Sequence, residues 1–228
     1  MKVSVVIPVF NERESLPLVV ADIPRAAISE IVVVDNGSTD GTDLVARGLP
    51  VQVVREPRRG YGSACLAGVA ALSPAPPEVI VFLDGDYSDH PEELPLLLSA
   101  IRNGADLVIG SRALGNAEPG ALLPQARFGN RLACFLIRLL YDHPYTDLGP
   151  FRAIRWEAYQ RLGMEDTNFG WTCEMQVKAL RHGLAIAEVP VSYRRRVGVS
   201  KITGTLWGTV RAGYKILWTI ARYGLKTR

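Results

Sequence analysis

Cysteine is scarce. Cys65, Cys134 and Cys173 form no CxxC pair, which argues against a disulfide framework or a cysteine zinc site and fits a reducing cytosol. No stretch holds the roughly 18 to 20 uncharged apolar residues that a membrane span requires. The N-terminus, MKVSVVIPVFNE, has only about seven apolar residues and no cleavage-site pattern, so it reads as a first strand and not a signal peptide. A Gly-rich, Lys-containing loop is missing after that strand, where PVFNERES stands instead, and this sets nucleotidyltransferases aside. Internal repeats and low-complexity segments are absent too. Acidic residues vanish at one end: Val191 to Arg228 contains nine Lys/Arg and no Asp/Glu. The net charge of +3 is nevertheless too small to imply nucleic acid, and none is expected as a partner.

What is present is an alternation. Apolar, β-branched runs at 3–9, 30–34, 51–55, 79–83 and 106–110 are separated by helical patterns at 14–23, 42–48, 63–72 and 91–102. Strands apolar throughout and separated by helices predict an α/β fold, Rossmann-like, with a mostly parallel sheet covered on both faces. Beyond Gly110 the alternation stops. A Gly/Pro/Ala-rich loop at 113–126 precedes an apolar helix at 130–141, a helix around 155–162, another at 171–182, a strand at 185–193 and a last helix from about 205 to 223. The expected organisation is a nucleotide-type lobe at 1–110 and a second lobe at 111–228, sharing one sheet as one continuous domain.

Binding sites in such sheets lie beyond the carboxyl ends of the strands. Three stretches meet that condition: Pro8 to Glu12, Asp35 to Asp40, and Asp84 to Asp89. In VFLDGDYSDHPEEL, the repelling carboxylates Asp84 and Asp86 suit a hard divalent cation, Mg2+ or Mn2+, shared with a diphosphate. DNGSTDGT offers Asp35, Ser38 and Asp40 as acceptors around a turn permitted by Gly37 and Gly41. Gly60 and Gly62, before a helix, suit either a plain turn or backbone N–H groups presented to an anion. Arg112 and Arg131, with Arg194, Arg195, Arg196 and Lys201, fall on the second half, where a guanidinium fork suits phosphate. The last helix spaces Leu206, Val210, Tyr214, Leu217 and Ala221 along one face and Arg211, Lys215 and Arg222 along another, with Trp207 and Trp218 added. That pattern suits a helix lying in a membrane interface, with 130–141 beside it.

The ordered set PVFNE, VVDNGSTDGT, REPRRGYGSA, FLDGDYSDHPEEL, VIGSR, GNR, FRAIR, GWTCEMQ and SYRRRVGVSK resembles the family 2 glycosyltransferases of GT-A fold, most of all the dolichyl- or polyprenyl-phosphate sugar transferases. The resemblance implies a nucleotide site at Pro8, Phe10, Glu12, Asp35 and Asp40, joined by Gly37, Gly62 and Asp84. It implies metal ligation by Asp84 and Asp86, with Ser88 standing where a third polar ligand occurs. It assigns Asp86, Arg112, Arg131, Arg196 and Lys201 to catalysis, through the donor diphosphate and the acceptor phosphate. Phe10 stands where Tyr is common, and DLGPFR replaces the frequent SGFR.

The implied reaction is an inverting transfer of a hexose from a nucleotide-sugar of GDP-mannose or UDP-glucose type to a polyprenyl or dolichyl phosphate. A phosphate acceptor needs no general base. A sugar-hydroxyl acceptor is the alternative, and there Glu174 or Asp147 is the expected base. A non-catalytic nucleotide-sugar-binding protein is a further alternative, which intact motifs disfavour. Expected partners are the donor, the lipid phosphate, a peripheral contact at the cytoplasmic membrane face, and a second copy or membrane protein.

Overall fold

The structure is a computed structural model describing residues 1–72, 74–198 and 206–224, with backbone alone for 206–212 and 224. In chain order the elements are β1 (Val3–Val9), α1 (Leu16–Asp22), β2 (Glu30–Asp35), α2 (Thr42–Arg47), β3 (Gln52–Arg55), α3 (Tyr61–Leu72), β4 (Val79–Phe82) and α4 (Leu94–Arg102). They continue with β5 (Leu107–Ser111), α5 (Pro124–Tyr141), β6 (Arg152–Arg155), α6 (Trp156–Leu162), α7 (Trp171–Arg181), β7 (Ile186–Pro190) and α8 (Leu206–Gly224).

All seven strands join one sheet in the order β3-β2-β1-β4-β6-β5-β7. Only β6 runs antiparallel, between β4 and β5. The pleat sorts the apolar residues into two layers. Val3, Val5, Ile7 and Val9 of β1 join Val79 and Val81 of β4 under α1 and α4, whereas Val6, Ile80 and Phe82 face α3, α6 and α7. Burial on both faces is why β4 is apolar at every position and β1 at every position but Ser4.

The alternation of the first half is as expected. Two features of the second half are not. No strand is expected between 141 and 155, yet β6 lies there, its sequence RAIR carrying an arginine at each end. Arg152 is nonetheless fully buried, and its guanidinium donates to the carbonyls of Leu148, Gly149 and Thr172. Helix α5 begins at Pro124, inside the segment read as loop, since Pro is well suited to a helix's first turn.

β2 and β4 are the parallel neighbours of β1, so the carboxyl ends of the three strands lie side by side. The three sequence stretches singled out above therefore meet at one edge of the sheet.

Candidate active site

The first two loops are tied together by hydrogen bonds. The Asn11 N–H donates to Ser38 Oγ at 3.0 Å, and Thr39 N–H donates to Asn11 Oδ1 at 2.8 Å. Asn11 is left-handed (φ 56°), a conformation its short polar side chain tolerates. Asp35 Oδ1 accepts the Ser38 N–H at 3.0 Å, and Asp40 takes both the N–H and the hydroxyl of Thr42. Asp40 thus holds its own turn and the start of α2. Phe10 carries the Arg59 guanidinium over its ring, 3.3 Å from the centroid, and Arg59 donates to the carbonyls of Asn36 and Gly37. Asn36 fastens the facing turn: its amide donates to the carbonyls of Glu56 and Arg58, and its Oδ1 accepts the Gly60 N–H. Arg59 and Asn36 were not anticipated; their signal was position alone, since nothing in PRRG or DNG separates them from ordinary turn residues.

Gly62 and Gly60 meet a packing demand. A Cβ there would lie 1.9 Å from the Asp166 carbonyl oxygen, and at Gly60 2.1 Å from that of Thr167. The Ser63 N–H already donates to Thr167 O at 2.9 Å. These glycines admit the 166–168 backbone onto α3.

At the end of β4 the chain turns tightly. Gly85 packs on Val9, whose Cγ1 would lie 2.6 Å from an added Cβ. Tyr87 is left-handed (φ 64°), a strain of about 1–3 kcal/mol for a bulky residue. It is held there by its hydroxyl, which donates to Asp22 at 2.6 Å, and by Arg194 stacked 3.8 Å from its ring centroid. The turn brings Asp84, Asp86 and Asp89 together. Asp86 Oδ1 accepts the N–H and hydroxyl of Ser88, and its Oδ2 pairs with Arg196 Nη2 at 2.5 Å. Ser88 is fully buried, so it fixes Asp86 and is not a free third ligand. Asp89, which sequence reasoning left among its neighbours, is 1% exposed with neither carboxyl oxygen hydrogen-bonded among the described residues. Asp84 Oδ1 is equally unpartnered.

Burial and then the Asp86 charge push the Asp84 carboxyl up to about 7, against the pull of Arg196 and Arg112. Burial and the charges of Asp84 and Asp86 likewise hold Asp89 well above the carboxylate range. One buried carboxylate without partners and a second with one buried oxygen unpartnered, beside a third that already holds a cation, fit a divalent ion completed by diphosphate oxygens. No ready-made cage of three His, Cys, Asp or Glu side chains occurs among the described residues. One consequence is measurable. Between pH 3.8 and about 7 the folded chain keeps on Asp84 a proton that the unfolded chain has lost, so this group lowers stability as pH rises through that window. Without divalent cation, the melting temperature should fall from about pH 4 to about pH 7, and Asp84→Asn should flatten the profile. Identical profiles in the two proteins would remove Asp84 as the source.

Across from the acids lies a cleft of about 430 Å³, lined among others by Arg112, Asn116, Arg127, Asn130, Arg131 and Asp147. It runs between the loop after β5 and the first turns of α5. Asp147 accepts three bonds from Arg112, from its N–H at 2.8 Å, Nε at 2.8 Å and Nη2 at 2.7 Å. Burial alone would lower the Arg112 pKa, and the Asp147 charge reverses this and raises it. Asp147 is therefore the holder of Arg112 and not a free base. Glu174, the other expected base, is fully buried. It accepts the N–H groups of Glu165 and Asp166 and the Tyr223 hydroxyl, and pairs with Lys178 at 2.7 Å. Its work is to anchor α8 and the 165–166 turn.

Of the consecutive arginines after β7, only Arg196 reaches the acids. Arg194 is taken by Tyr87, the Asp89 carbonyl and Glu92, and Arg195 by Glu118 and the Pro119 carbonyl. Arg196 also lies 3.7 Å from Glu12, whose other oxygen accepts the Ser15 hydroxyl. Pro8, the last residue but one of β1, pairs with Val34, and Lys201 lies outside the described residues.

The sequence profile "Glycosyl transferase family 2" matches residues 4–163, more than half of the chain and all three strand-end loops. The chain belongs to glycosyltransferase family 2. An uncharacterised glycosyltransferase of Mycobacterium tuberculosis is 41% identical over 213 residues, covering 92% of this chain and 94% of the relative. The polyprenol monophosphomannose synthase of Mycolicibacterium smegmatis is 33% identical, over 98% of this chain and 87% of that one. The undecaprenyl-phosphate mannosyltransferase of Micrococcus luteus is 31% identical, over 100% and 96%. Among solved structures, the glucosyl-3-phosphoglycerate synthase of M. tuberculosis, crystallised with Mn2+, UDP and glucosyl-3-phosphoglycerate, superposes with a TM-score of 0.77. It covers 97% of this family 2 chain and 79% of its own, at 22% identity, which establishes the shared GT-A fold.

Proposed function

We propose that this glycosyltransferase moves a hexosyl group from a nucleotide-sugar to a polyprenyl phosphate, with inversion at the anomeric carbon. The observation that carries the reading is the cleft. Among the residues lining it Asp147 is the one carboxylate, and Arg112 consumes it. Such a cleft holds no base for a sugar hydroxyl, but it suits an acceptor that brings its own negative charge. A phosphate monoester is already ionised near pH 7. Its oxygen forms the bond to the anomeric carbon as the carbon–oxygen bond to the diphosphate breaks, and the nucleoside diphosphate leaves with the electron pair. No proton need be moved.

The residues divide the work. Phe10, Asp35, Gly37 and Asp40, with Asn36 and Arg59, frame the nucleoside. Mg2+ or Mn2+ held by Asp84 and Asp86 would neutralise charge on the departing diphosphate. Arg112 is locked in one orientation by Asp147, and with Arg131 it aligns the acceptor, which is where most of the rate enhancement would arise.

A lipid acceptor is favoured by the outer surface. Helix α5 exposes Phe128, Phe135 and Leu139, each 60–69% accessible, at one-face spacing, and Arg127, Arg131 and Arg138 are exposed beside them. Packed against it, α8 buries Ile220 and Tyr223 and exposes Tyr214, Leu217 and Trp218. Lys215 and Arg222 of α8 are paired with Asp166 and Glu165, so among the described side chains the free cations of this face belong to α5; the Arg211 side chain lies outside them. No helix among the described residues is long and apolar enough to cross a membrane. The pair of helices suits contact with an anionic cytoplasmic leaflet. The two curated relatives named for prenyl-phosphate mannosyl chemistry point the same way.

The deciding assay offers GDP-mannose, UDP-glucose and UDP-N-acetylglucosamine, with Mg2+ or Mn2+, to polyprenyl phosphate, phosphoglycerate and free sugars. Transfer to polyprenyl phosphate is expected. Transfer to sugar hydroxyls alone would overturn the reading. Phe128→Ser with Phe135→Ser should leave the fold and transfer to a short, water-soluble prenyl phosphate intact while abolishing sedimentation with anionic vesicles. Unchanged sedimentation would reject α5 as the seat.

A further inference from the structure

Asp86, the residue on which a cation would be built, is already fully engaged. Its Oδ1 holds Ser88, and its Oδ2 is 2.5 Å from Arg196 Nη2. The same guanidinium lies 3.7 Å from Glu12, so it is pinched between two carboxylates drawn from two strand ends. The backbone that carries it cannot drift away easily. The Arg194 N–H donates to Ser88 O at 2.8 Å and the Val197 N–H to Asp86 O at 3.0 Å, bracketing Arg196 on both sides. The side chain itself is 29% exposed, and its Nε is a buried donor with no partner among the described residues. Arg196 thus has one saturated end on Asp86 and one unused donor.

We infer that Arg196 is a built-in stand-in for the divalent cation, and that it imposes an order: the cation enters only with the nucleotide diphosphate. The inference rests on the reading of Asp86 as a cation ligand. A guanidinium and a divalent ion on one carboxylate oxygen would be only about 4 Å apart, a repulsion of several kcal/mol even at an effective dielectric constant near 20. The donor diphosphate reverses this. It supplies acceptor oxygens for the unused Nε and for the fork released from Asp86, which is a stronger match for arginine than one carboxylate oxygen. Because the backbone is bracketed at 194 and 197, the exchange is a rotation of one side chain, with no opening of the loop. In the bound state Arg196 then lies on the departing phosphates, where it serves catalysis.

The experiment measures Mn2+ binding by electron paramagnetic resonance and calorimetry, with no acceptor and no turnover, for wild type, Arg196→Gln, Asp86→Asn and the double variant. Wild type should bind Mn2+ weakly alone and more tightly with nucleoside diphosphate. Arg196→Gln should bind Mn2+ alone about tenfold more tightly or better, since one cation-cation repulsion is removed. The gain should vanish in the double variant. Equal or weaker Mn2+ binding by Arg196→Gln, with Asp86→Asn still lowering it, would overturn the stand-in while sparing the cation site. If Asp86→Asn binds Mn2+ as wild type does, the cation site itself is wrong and the inference goes with it.

Discussion

Asp86→Ala should lower the turnover of sugar transfer by about a hundred- to a thousandfold or more, the range seen when a preorganised electrostatic group is removed from a reacting centre. Three contacts are lost together. The cation loses its anchor, Arg196 loses the carboxylate that positions it, and the Ser88 N–H and hydroxyl lose their buried acceptor. The last of these costs stability, about 1–3 kcal/mol for an unsatisfied buried group, so a dead alanine variant by itself proves little. Asp86→Asn separates the two effects. Its amide oxygen can still accept from Ser88, so the melting temperature should fall less than in the alanine variant while activity remains lost and added Mn2+ fails to restore it. Transfer by the asparagine variant at wild-type rate would remove Asp86 from the mechanism.

Gly62→Ala should be severely destabilising, although it adds one methyl group to a helix and alanine is the better helix former. The new Cβ would lie 1.9 Å from the Asp166 carbonyl oxygen and 2.8 Å from two backbone carbons, none of which belongs to a side chain that could swing aside. Either α3 lifts off the 166–167 turn or the turn shifts, breaking the Ser63 to Thr167 hydrogen bond. Overpacking of this kind costs about 3 kcal/mol, a fall of roughly 6–12 °C in a chain of this length. The measurement also distinguishes the two meanings of the glycine. Were Gly62 an anion cradle, the alanine variant would keep its melting temperature and lose nucleotide affinity. The packing seen here requires the melting temperature itself to drop.

How far the sequence speaks for itself can be judged residue by residue. The strands of the first half were legible because burial on both faces leaves an apolar run, and the ends of three of those runs, as expected, lie side by side at one edge of the sheet. Arg152 shows the limit. A guanidinium inside the sheet looks like surface until its carbonyl acceptors, contributed by 148, 149 and 172, are known. The union of Asp86 with Arg196 spans 110 positions and leaves no local trace. Asp147 and Glu174 were plausible bases as bare carboxylates; their roles were decided by the donors around them, which composition does not reveal. Asp89 was overlooked beside two acids already assigned, yet it is the most deeply buried of the three.

The placement of β6 has a consequence for how the molecule comes into being. β4 and β5 follow one another in the chain but never touch; β5 pairs only with β6 and β7, whose residues begin at Arg152. A ribosome releasing the first 110 residues therefore delivers a four-stranded parallel fragment and one stranded strand with no neighbour. That strand must wait, with its backbone groups open, until some 40 further residues have emerged and β6 can slot between the two. Cutting the gene near codon 110 would divide the sheet and not a pair of domains. The two pieces should regain activity only when produced together.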